Sequence, residues 1–204
     1  MQIIVNMACG LANRMFQYSY YIYLKQLGYN VSVDFYTNAQ LAHENVEWLR
    51  IFPDAQYEQA SRWDVFRLGG GEDIVSKIRR KCIPFAHRIM QQLTAFDAHI
   101  PLQDKGDRYV MGVFQNAKMV DSIKSEILQK FTFTDERNMA LQQEMQACNS
   151  VGIHIRKGQD YMSRIWYQDT CPLEYYRKAM EYIRERVDNP KFYVFADNPS
   201  WVKE

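Results

Sequence analysis

Residues 149–164 read NSVGIHIRKGQDYMSR, and this stretch decides the predicted fold. Alternate apolar residues from Val151 to Ile155 share one face of a predicted β-strand, while His154 and Arg156 share the other. Lys157 and Gly158 follow directly. Open α/β sheets bind ligands at the carboxyl ends of their strands. The pattern therefore predicts one of two things: a ligand site formed by cationic side chains at a strand end, or a strand with one solvated face.

The chain alternates strands and helices from its first residues. A strand at 3–7 leads through a glycine turn into a helix ended by Gly28, and a strand follows at 30–35. This order is typical of a parallel α/β sheet. The further predicted elements are helices at 40–51 and 74–96, a strand at 108–114, helices at 117–131 and 134–148, a strand at 150–156, a loop at 157–171, a helix at 172–187, a strand at 191–197 and a helix from Pro199.

Two of these helices and one boundary carry more specific expectations. The helix at 117–131 is amphipathic, and five of its apolar residues are predicted to point inward: Met119, Val120, Ile123, Ile127 and Leu128. Thr134 or Asp135 is the expected N-cap of the helix that follows. The start of a second strand–helix series predicts a domain boundary near residue 148, which divides the chain into 1–148 and 149–204.

Composition excludes several classes of protein. The 204 residues contain 25 Lys and Arg against 24 Asp and Glu, so the formal net charge of +1 does not favour a nucleic-acid binder. No apolar stretch approaches the roughly 20 residues that span a bilayer, and the first ten residues read as a strand rather than a signal peptide. The four cysteines have neither C-x-x-C nor metal-ligand spacing. We therefore expect a cytoplasmic protein with reduced thiols.

The stretch GLANRMFQ at 10–17 occupies the first strand-to-helix turn. Its single glycine does not match the dinucleotide-binding fingerprint. A helix N-terminus offers free N–H groups to an anion or hydroxyl, and Arg14 opposes the helix macrodipole there. Asn13 and Arg14 therefore predict either ligand contact or a solvated helix start, and the sequence alone leaves both open.

The residues that end the strand at 150–156 have the chemistry of an anion site. Arg156 offers a planar fork of donors suited to phosphate, Lys157 adds a point charge, and His154 lies on the same face as Arg156. Gly158 permits close approach of the backbone to a ligand. If the strand at 191–197 is a parallel neighbour, Asp197 reaches the same edge, either to accept from a ribose hydroxyl or base N–H, or to cap the following helix.

The stretch SKIRRKCIPFAHRIMQQL at 76–93 is basic, with apolar residues interleaved. Contact with an anionic membrane surface or a charged glycolipid is one interpretation. A solvated helix face is the interpretation that we prefer for such a charge run.

Five motifs resemble, in order, those of the bacterial α-1,2-fucosyltransferases, glycosyltransferase family 11. They are ACGLANRMFQYS (8–19) for G-G-L-G-N-Q-M-F-Q-Y, VFQNAKMV (113–120) for a YWQSEKYF-like junction, HIRKGQDY (154–161) for H-x-R-R-G-D-Y, LEYYRKAM (173–180) for a YY..A helix, and FADNPSW (195–201) for F-S-D-D..W. Lys157 replaces the second arginine, and Gln159 is inserted before Asp160. The motifs extend over nearly the whole chain.

The resemblance implies two Rossmann-like lobes (GT-B-like), with the acceptor toward the first and GDP-fucose in the second. It implies that His154 and Arg156, with Lys157 and Gly158, hold the donor diphosphate. It also puts Asp197 near the nucleoside and Asn13 near the reacting sugars. Asp160 is the nearest candidate for a general base, although late proton loss from an unactivated hydroxyl is the alternative. The sequence has no D-x-D pair, so we expect no metal and no further cofactor.

The function expected from this resemblance is inverting transfer of fucose from GDP-fucose to a galactose-containing glycan or glycolipid in α-1,2 linkage. Another nucleotide-sugar transferase on the same scaffold and a catalytically inactive binding module are the alternatives. Peripheral contact with the inner face of the cell membrane stays open. Residues 149–204 contain two predicted strands and one complete helix, so we expect an incomplete second lobe, poor cover for Ile153, Val194 and Phe195, and little activity from these 204 residues alone.

Overall fold

The computed structural model of the protein describes residues 1–37, 48–82, 90–93, 106–132, 138–167 and 170–203. The chain forms two compact units, Met1–Thr134 and Asp135–Glu204. Strands in each unit pair in parallel, which confirms the predicted parallel α/β class. The interpretation of the units as two Rossmann-like lobes stays a prediction.

The first unit contains a parallel sheet with the strand order β2-β1-β4-β3. Its described strands are β1 (Gln2–Asn6), β2 (Asn30–Asp34), β3 (Met90–Leu93) and β4 (Arg108–Gly112). Its described helices are α1 (Leu11–Gln26), α2 (Trp48–Ile51), α3 (Arg62–Arg67), α4 (Ile74–Cys82), α5 (Ala117–Ser122) and α6 (Lys124–Lys130).

Strand β1, at the centre of this sheet, is buried on both faces. Ile3 and Val5 of β1 pack into a core that includes Tyr18 of α1, and Ile4 packs against Tyr109 on the opposite face. All five side chains are 0% exposed. Burial on both faces explains why β1 reads as an unbroken apolar run rather than an alternating one.

Helix α1 begins and ends as the sequence predicts. Its N-cap residue is Gly10, and after Gln26 the chain reaches Gly28, whose φ of 83° favours glycine. Tyr18 anchors the helix in an aromatic cluster, with its ring centre 5.3 Å from that of Trp48 and 5.6 Å from that of Phe131. This packing fixes the helix N-terminus at the carboxyl edge of the sheet.

Two helix predictions in the first unit need correction. Of the helix predicted at 74–96, Ile74–Cys82 is helical, whereas Met90–Leu93 forms β3 because parallel pairing with β4 overrides weak local preference. Residues 83–89 and 94–96 lie outside the described residues. The helix predicted at 117–131 is interrupted at Ile123, where the N–H bonds to the Val120 carbonyl in a tightened turn. Leu128, predicted to point inward, is 64% exposed, whereas Met119, Ile123 and Ile127 are buried as predicted. Of the helix predicted at 40–51, residues 40–47 lie outside the described residues.

The second unit contains the parallel pair β5 (Ser150–Ile155) and β6 (Lys191–Ala196). Its described helices are α7 (Met139–Gln146), α8 (Gln159–Met162), α9 (Leu173–Arg184) and α10 (Pro199–Lys203), with a 3₁₀ turn at Ile165–Tyr167. The predicted loop at 157–171 is therefore wrong in part, since α8 and the 3₁₀ turn lie within it. Val194 and Phe195 are each 45% exposed, as expected, whereas Ile153 is only partly exposed.

Helix α7 belongs to the second unit, although the predicted boundary near residue 148 assigned it to the first domain. Glu144 of α7 accepts a hydrogen bond of 3.0 Å from the Tyr193 hydroxyl of β6 and also pairs with Lys191. The described helix has Asn138 as its N-cap residue. The predicted caps Thr134 and Asp135 lie outside the described residues.

Candidate ligand site at a sheet edge

The carboxyl ends of β5 and β6 are joined by side-chain hydrogen bonds. The backbone N–H of Lys157 donates to Oδ1 of Asp197 at 2.7 Å, and Nδ2 of Asn198 donates to the Lys157 carbonyl at 3.1 Å. The two strands are parallel neighbours, and their register pairs His154 with Phe195. The expectation that Asp197 reaches the strand end occupied by Arg156 is confirmed.

Lys157 does not present the point charge that the sequence predicted. The side chain is buried with 5% exposure, and its ammonium donates to the Thr170 carbonyl at 2.8 Å. The same Nζ lies 5.4 Å from the centre of the Trp201 ring. A lysine after a strand can snorkel outward or fold inward, and here the carbonyl and the indole ring supply an inward site. Lys157 therefore holds the segment between β5 and α9 in place.

His154 and Arg156 are exposed at this edge. The Arg156 guanidinium carbon lies 5.1 Å from the centre of the Tyr161 ring, and Tyr161 stacks on Tyr167 with ring centres 4.4 Å apart. An aromatic platform restricts a long side chain, so less conformational entropy is lost when the guanidinium binds a ligand. The arrangement presents a supported cation at the end of a strand, where an oxyanion can reach it.

Asn198 decides one of the two interpretations of Asp197, whereas contact with a ribose hydroxyl or base N–H stays a prediction. Oδ1 of Asn198 accepts from the Trp201 N–H at 3.3 Å and therefore caps α10, which leaves Asp197 to hold the Lys157 N–H. The helix-cap alternative for Asp197 is wrong. Since Asp197 is exposed, its carboxylate is also accessible from solvent.

Gly158 and Asp160 lie at the start of α8. Gly158 is the N-cap residue with φ −65° and ψ 159°, which any residue adopts. Its predicted role in close approach to a ligand depends on the missing Cβ and stays a prediction. The backbone of Asp160 lies within α8. Its role as a general base stays a prediction.

In the first unit, the β1–α1 turn is held by amide side chains. Oε1 of Gln17 accepts from the Ala8 N–H at 2.8 Å, and Nε2 of the same side chain donates to the Gly112 carbonyl at 2.8 Å. Oδ1 of Asn13 accepts from Nε2 of Gln115 at 3.0 Å. Asn13 therefore lies at the carboxyl edge of its own sheet, and its proposed proximity to reacting sugars stays a prediction.

A buried carboxylate at the end of β2 escaped the sequence analysis. Asp34 is 0% exposed and accepts from the N–H groups of Tyr36 and Thr37 at 2.8 and 3.2 Å, from the Thr37 hydroxyl, and from the Tyr109 hydroxyl at 2.7 Å. Burial, followed by the Asp34 charge, raises the pKa of Tyr109. An aspartate that ends an apolar strand was the available signal. Its acceptor positions are used by the protein, which disfavours a ribose contact here.

A cleft of about 530 Å³ adjoins this network and is lined in part by Tyr36, Arg62, Phe66 and Asp73. Arg80 holds the glycine loop on its rim, with Nη1 donating to the carbonyls of Gly69, Gly70 and Gly71 at 2.9, 3.3 and 2.6 Å. The guanidinium of Arg79 likewise donates to the carbonyls of Phe66 and Arg67 at 2.7 and 2.6 Å. The basic stretch is therefore not a simple solvated face, because two of its arginines bind backbone carbonyls at the end of α3.

The described residues limit two other kinds of site. Within the ranges given above, no three His, Cys, Asp or Glu side chains are grouped closely enough to hold a metal ion. None of the described helices combines the length and apolarity needed to cross a membrane. Metal independence and membrane contact both stay predictions.

Comparison with known proteins identifies relatives of this chain. It is 27% identical over 222 residues to an alpha-1,2-colitosyltransferase of Escherichia coli, an alignment that covers 99% of this chain and 71% of the relative. It is 26% identical over 112 residues to the O-antigen biosynthesis glycosyltransferase WbnK of Escherichia coli, which covers 50% of this chain and 37% of that relative. No solved structure gave a significant match.

The family model described as glycosyl transferase family 11 matches residues 91–204. This range is more than half of the chain. It includes β5, β6 and the loops that follow their carboxyl ends. The resemblance based on the five sequence motifs is thereby confirmed. The chain belongs to glycosyl transferase family 11.

Proposed function

We propose that the protein transfers fucose from GDP-fucose to a galactose-containing glycan in α-1,2 linkage, with inversion and without a metal. The observation that carries the proposal is the arrangement at the carboxyl ends of β5 and β6. There the Arg156 guanidinium packs over the Tyr161 ring, and Asp197 binds the backbone of the next residue. Family membership supports sugar transfer, and the name of the colitosyltransferase supports the α-1,2 linkage.

Arg156 and His154 act on the leaving group in this proposal. Breaking the bond between the sugar and GDP develops negative charge on the β-phosphate, and a preorganised donor stabilises that charge where it appears. The guanidinium can bind two phosphate oxygens at once, which a lysine cannot do. His154 adds a second donor from the same face of β5.

Lys157 and Asp197 act as positioning residues in this mechanism. Asp197 holds the backbone N–H that directly follows Arg156, and the Lys157 ammonium anchors the same loop to the Thr170 carbonyl. Two anchors on one residue restrict the backbone from which the Arg156 side chain extends. The exposed Asp197 carboxylate is also our candidate acceptor for a nucleoside hydroxyl.

A colitosyl donor is the second candidate. Its support is the relative named as an alpha-1,2-colitosyltransferase, whose alignment covers 99% of this chain. Both candidates use the same site for the nucleotide and differ in the sugar that the acceptor hydroxyl attacks.

The test is nucleotide release from GDP-fucose, nucleotide-activated colitose and UDP-galactose, each with a panel of galactosides and matched glucosides. We expect release only with a galactoside and an α-1,2 bond in the product. Preference for the colitose donor would select the second candidate. Turnover of UDP-galactose alone, or GDP binding without any transfer, would refute the proposal.

A further inference from the structure

Arg14 is a buried cation at the carboxyl edge of the first sheet. It lies in the first turns of α1 and is 4% exposed. Helical side chains lean toward the helix N-terminus, and Cys9, in the turn before α1, is close enough to act electrostatically on the Arg14 guanidinium. Its guanidinium carbon lies 5.7 Å from the centre of the Phe35 ring, just beyond β2.

No acidic group among the described residues pairs with this cation. The Nε–H of Arg14 is buried without a hydrogen-bond partner there. Arg67 provides the contrast, since it pairs with Asp107 at 2.9 Å and donates to Oε1 of Gln2 at 2.8 Å. Burial lowers the pKa of Arg14, and the Cys9 thiol opposes that shift. A buried guanidinium is costly unless another group compensates its charge.

Within the described part of the chain, the N-terminus of α1 likewise lacks a negatively charged or hydrogen-bond-accepting side-chain partner. The helix has 16 residues, yet its N-cap Gly10 supplies no side-chain hydrogen bond and its first turn contains no acidic residue. The free N–H groups and the macrodipole there favour a negative charge. Arg14 adds a positive charge to this positive end, so one anion would compensate both features.

The turn around these groups is both rigid and open. Gln17 fixes it to the end of β4, and a Cβ at Gly10 would meet no atom within 4 Å. Cys9 has a φ of 67°, a strained backbone angle for a residue other than glycine. An ordered turn with space above it suits a small polar ligand better than a packed side chain.

We propose that Arg14 and the first N–H groups of α1 bind an oxyanion, a carboxylate or a phosphate group carried by a ligand of the first unit. The site is separate in the chain from His154 and Arg156. The inference is independent of the proposed sugar transfer, because it concerns binding rather than turnover.

The experiment is an NMR titration of the isotope-labelled protein at constant ionic strength. The Nε–H resonance of Arg14 and the amide resonances of residues 11–13 are followed while inorganic phosphate, glucuronate or neutral glucose is added. We expect saturable shifts with phosphate, glucuronate or both, and none with glucose. The active anion identifies the ligand group as a phosphate or a carboxylate.

Two variants complete the test. Arg14→Gln should lose the shifts at residues 11–13 and, without anion, unfold at the same or a higher temperature, because an uncompensated buried charge is gone. Arg156→Gln is the matched control and should retain the shifts, since its arginine lies in the second unit. Absence of saturable shifts in the unsubstituted protein, or unchanged shifts in Arg14→Gln, would overturn the inference.

Discussion

Lys157 is a charged residue beside the candidate ligand site, yet its ammonium and backbone bind neighbouring groups of the protein. Its ammonium binds the Thr170 carbonyl, and its backbone binds Asp197 and Asn198. A buried ammonium satisfied by a carbonyl and an aromatic face is stable only while that geometry is kept. The side chain therefore couples the position of the loop to the packing of α10.

We expect Lys157→Met to lower the free energy of unfolding by about 1.5–3 kcal/mol, the usual contribution of a hydrogen bond that involves a charged group. Lys178→Met is the control, because Lys178 is 73% exposed and forms only a surface pair with Glu174. Denaturant unfolding of both variants checks this. Equal, small effects would contradict the anchoring role.

Among the secondary-structure elements of the first unit, three are connected through the side chain of Asp107. Its Oδ1 accepts from the Gln2 N–H at 2.8 Å, and its Oδ2 pairs with Arg67 of α3 at 2.9 Å. The Gln2 N–H, followed by Arg67, lowers the pKa of the Asp107 carboxyl. The start of β1, the residue before β4 and the end of α3 thus meet at one carboxylate.

This lowered pKa predicts a specific acid sensitivity. Because the folded pKa lies below the unfolded value of about 3.9, the stabilisation is full above that pH and is lost as pH falls through the folded pKa. Urea unfolding between neutral and acid pH should show Asp107→Asn less stable near neutrality and converging with the unsubstituted protein below about pH 4. The exposed Asp121 gives the control, Asp121→Asn. Curves for Asp107→Asn that stay parallel to those of the unsubstituted protein would refute this account.

The glycine loop gives a second test at the element scale. A Cβ at Gly70 would lie 2.5 Å from the Tyr109 ring, which is 0% exposed and bonded to Asp34. We expect Gly70→Ala to reduce the free energy of unfolding by about 1–3 kcal/mol through overpacking. Gly106→Ala is the matched control, since its added Cβ would meet no atom within 4 Å. A neutral Gly70→Ala variant would show that the loop moves freely.

The sequence predicts those elements whose local pattern agrees with their tertiary environment. Strand β1 is predicted by its apolar run and helix α1 by its helical periodicity. The helix ends before Gly28, whose positive φ favours glycine. Strand β3 is not predicted in this way, because Met90–Leu93 has weak strand preference and depends on pairing with β4. Such a prediction fails because it depends on contacts with residues that are distant in sequence.

The same distinction applies to the candidate site. The meeting of Arg156 and Asp197 at one edge was predictable from alternation and parallel pairing. The inward turn of Lys157 depends on Thr170 and Trp201, and the burial of Asp34 depends on Tyr109, which is 75 residues away in sequence. Residue type therefore indicated the chemistry, whereas burial determined which side chain is accessible to a ligand and which one holds the loop.

For the whole molecule, we predict catalysis without a divalent metal. The sequence lacks a D-x-D pair, so the diphosphate charge is assigned to Arg156 and His154. Excess EDTA should leave GDP release from GDP-fucose essentially unchanged. Complete loss of release that Mn²⁺ or Mg²⁺ restores would refute this prediction.

The most direct test of the account is turnover of GDP-fucose by Arg156 variants of the protein. If Arg156 stabilises the charge on the leaving phosphate, Arg156→Ala should reduce turnover by about 10²–10³-fold, and Arg156→Lys should restore little because it cannot bind two oxygens at once. Arg177→Ala, at an exposed arginine of α9, is the control and should keep its activity. Near-normal turnover by a folded Arg156→Ala variant would contradict the assignment of the β5–β6 edge as the donor site.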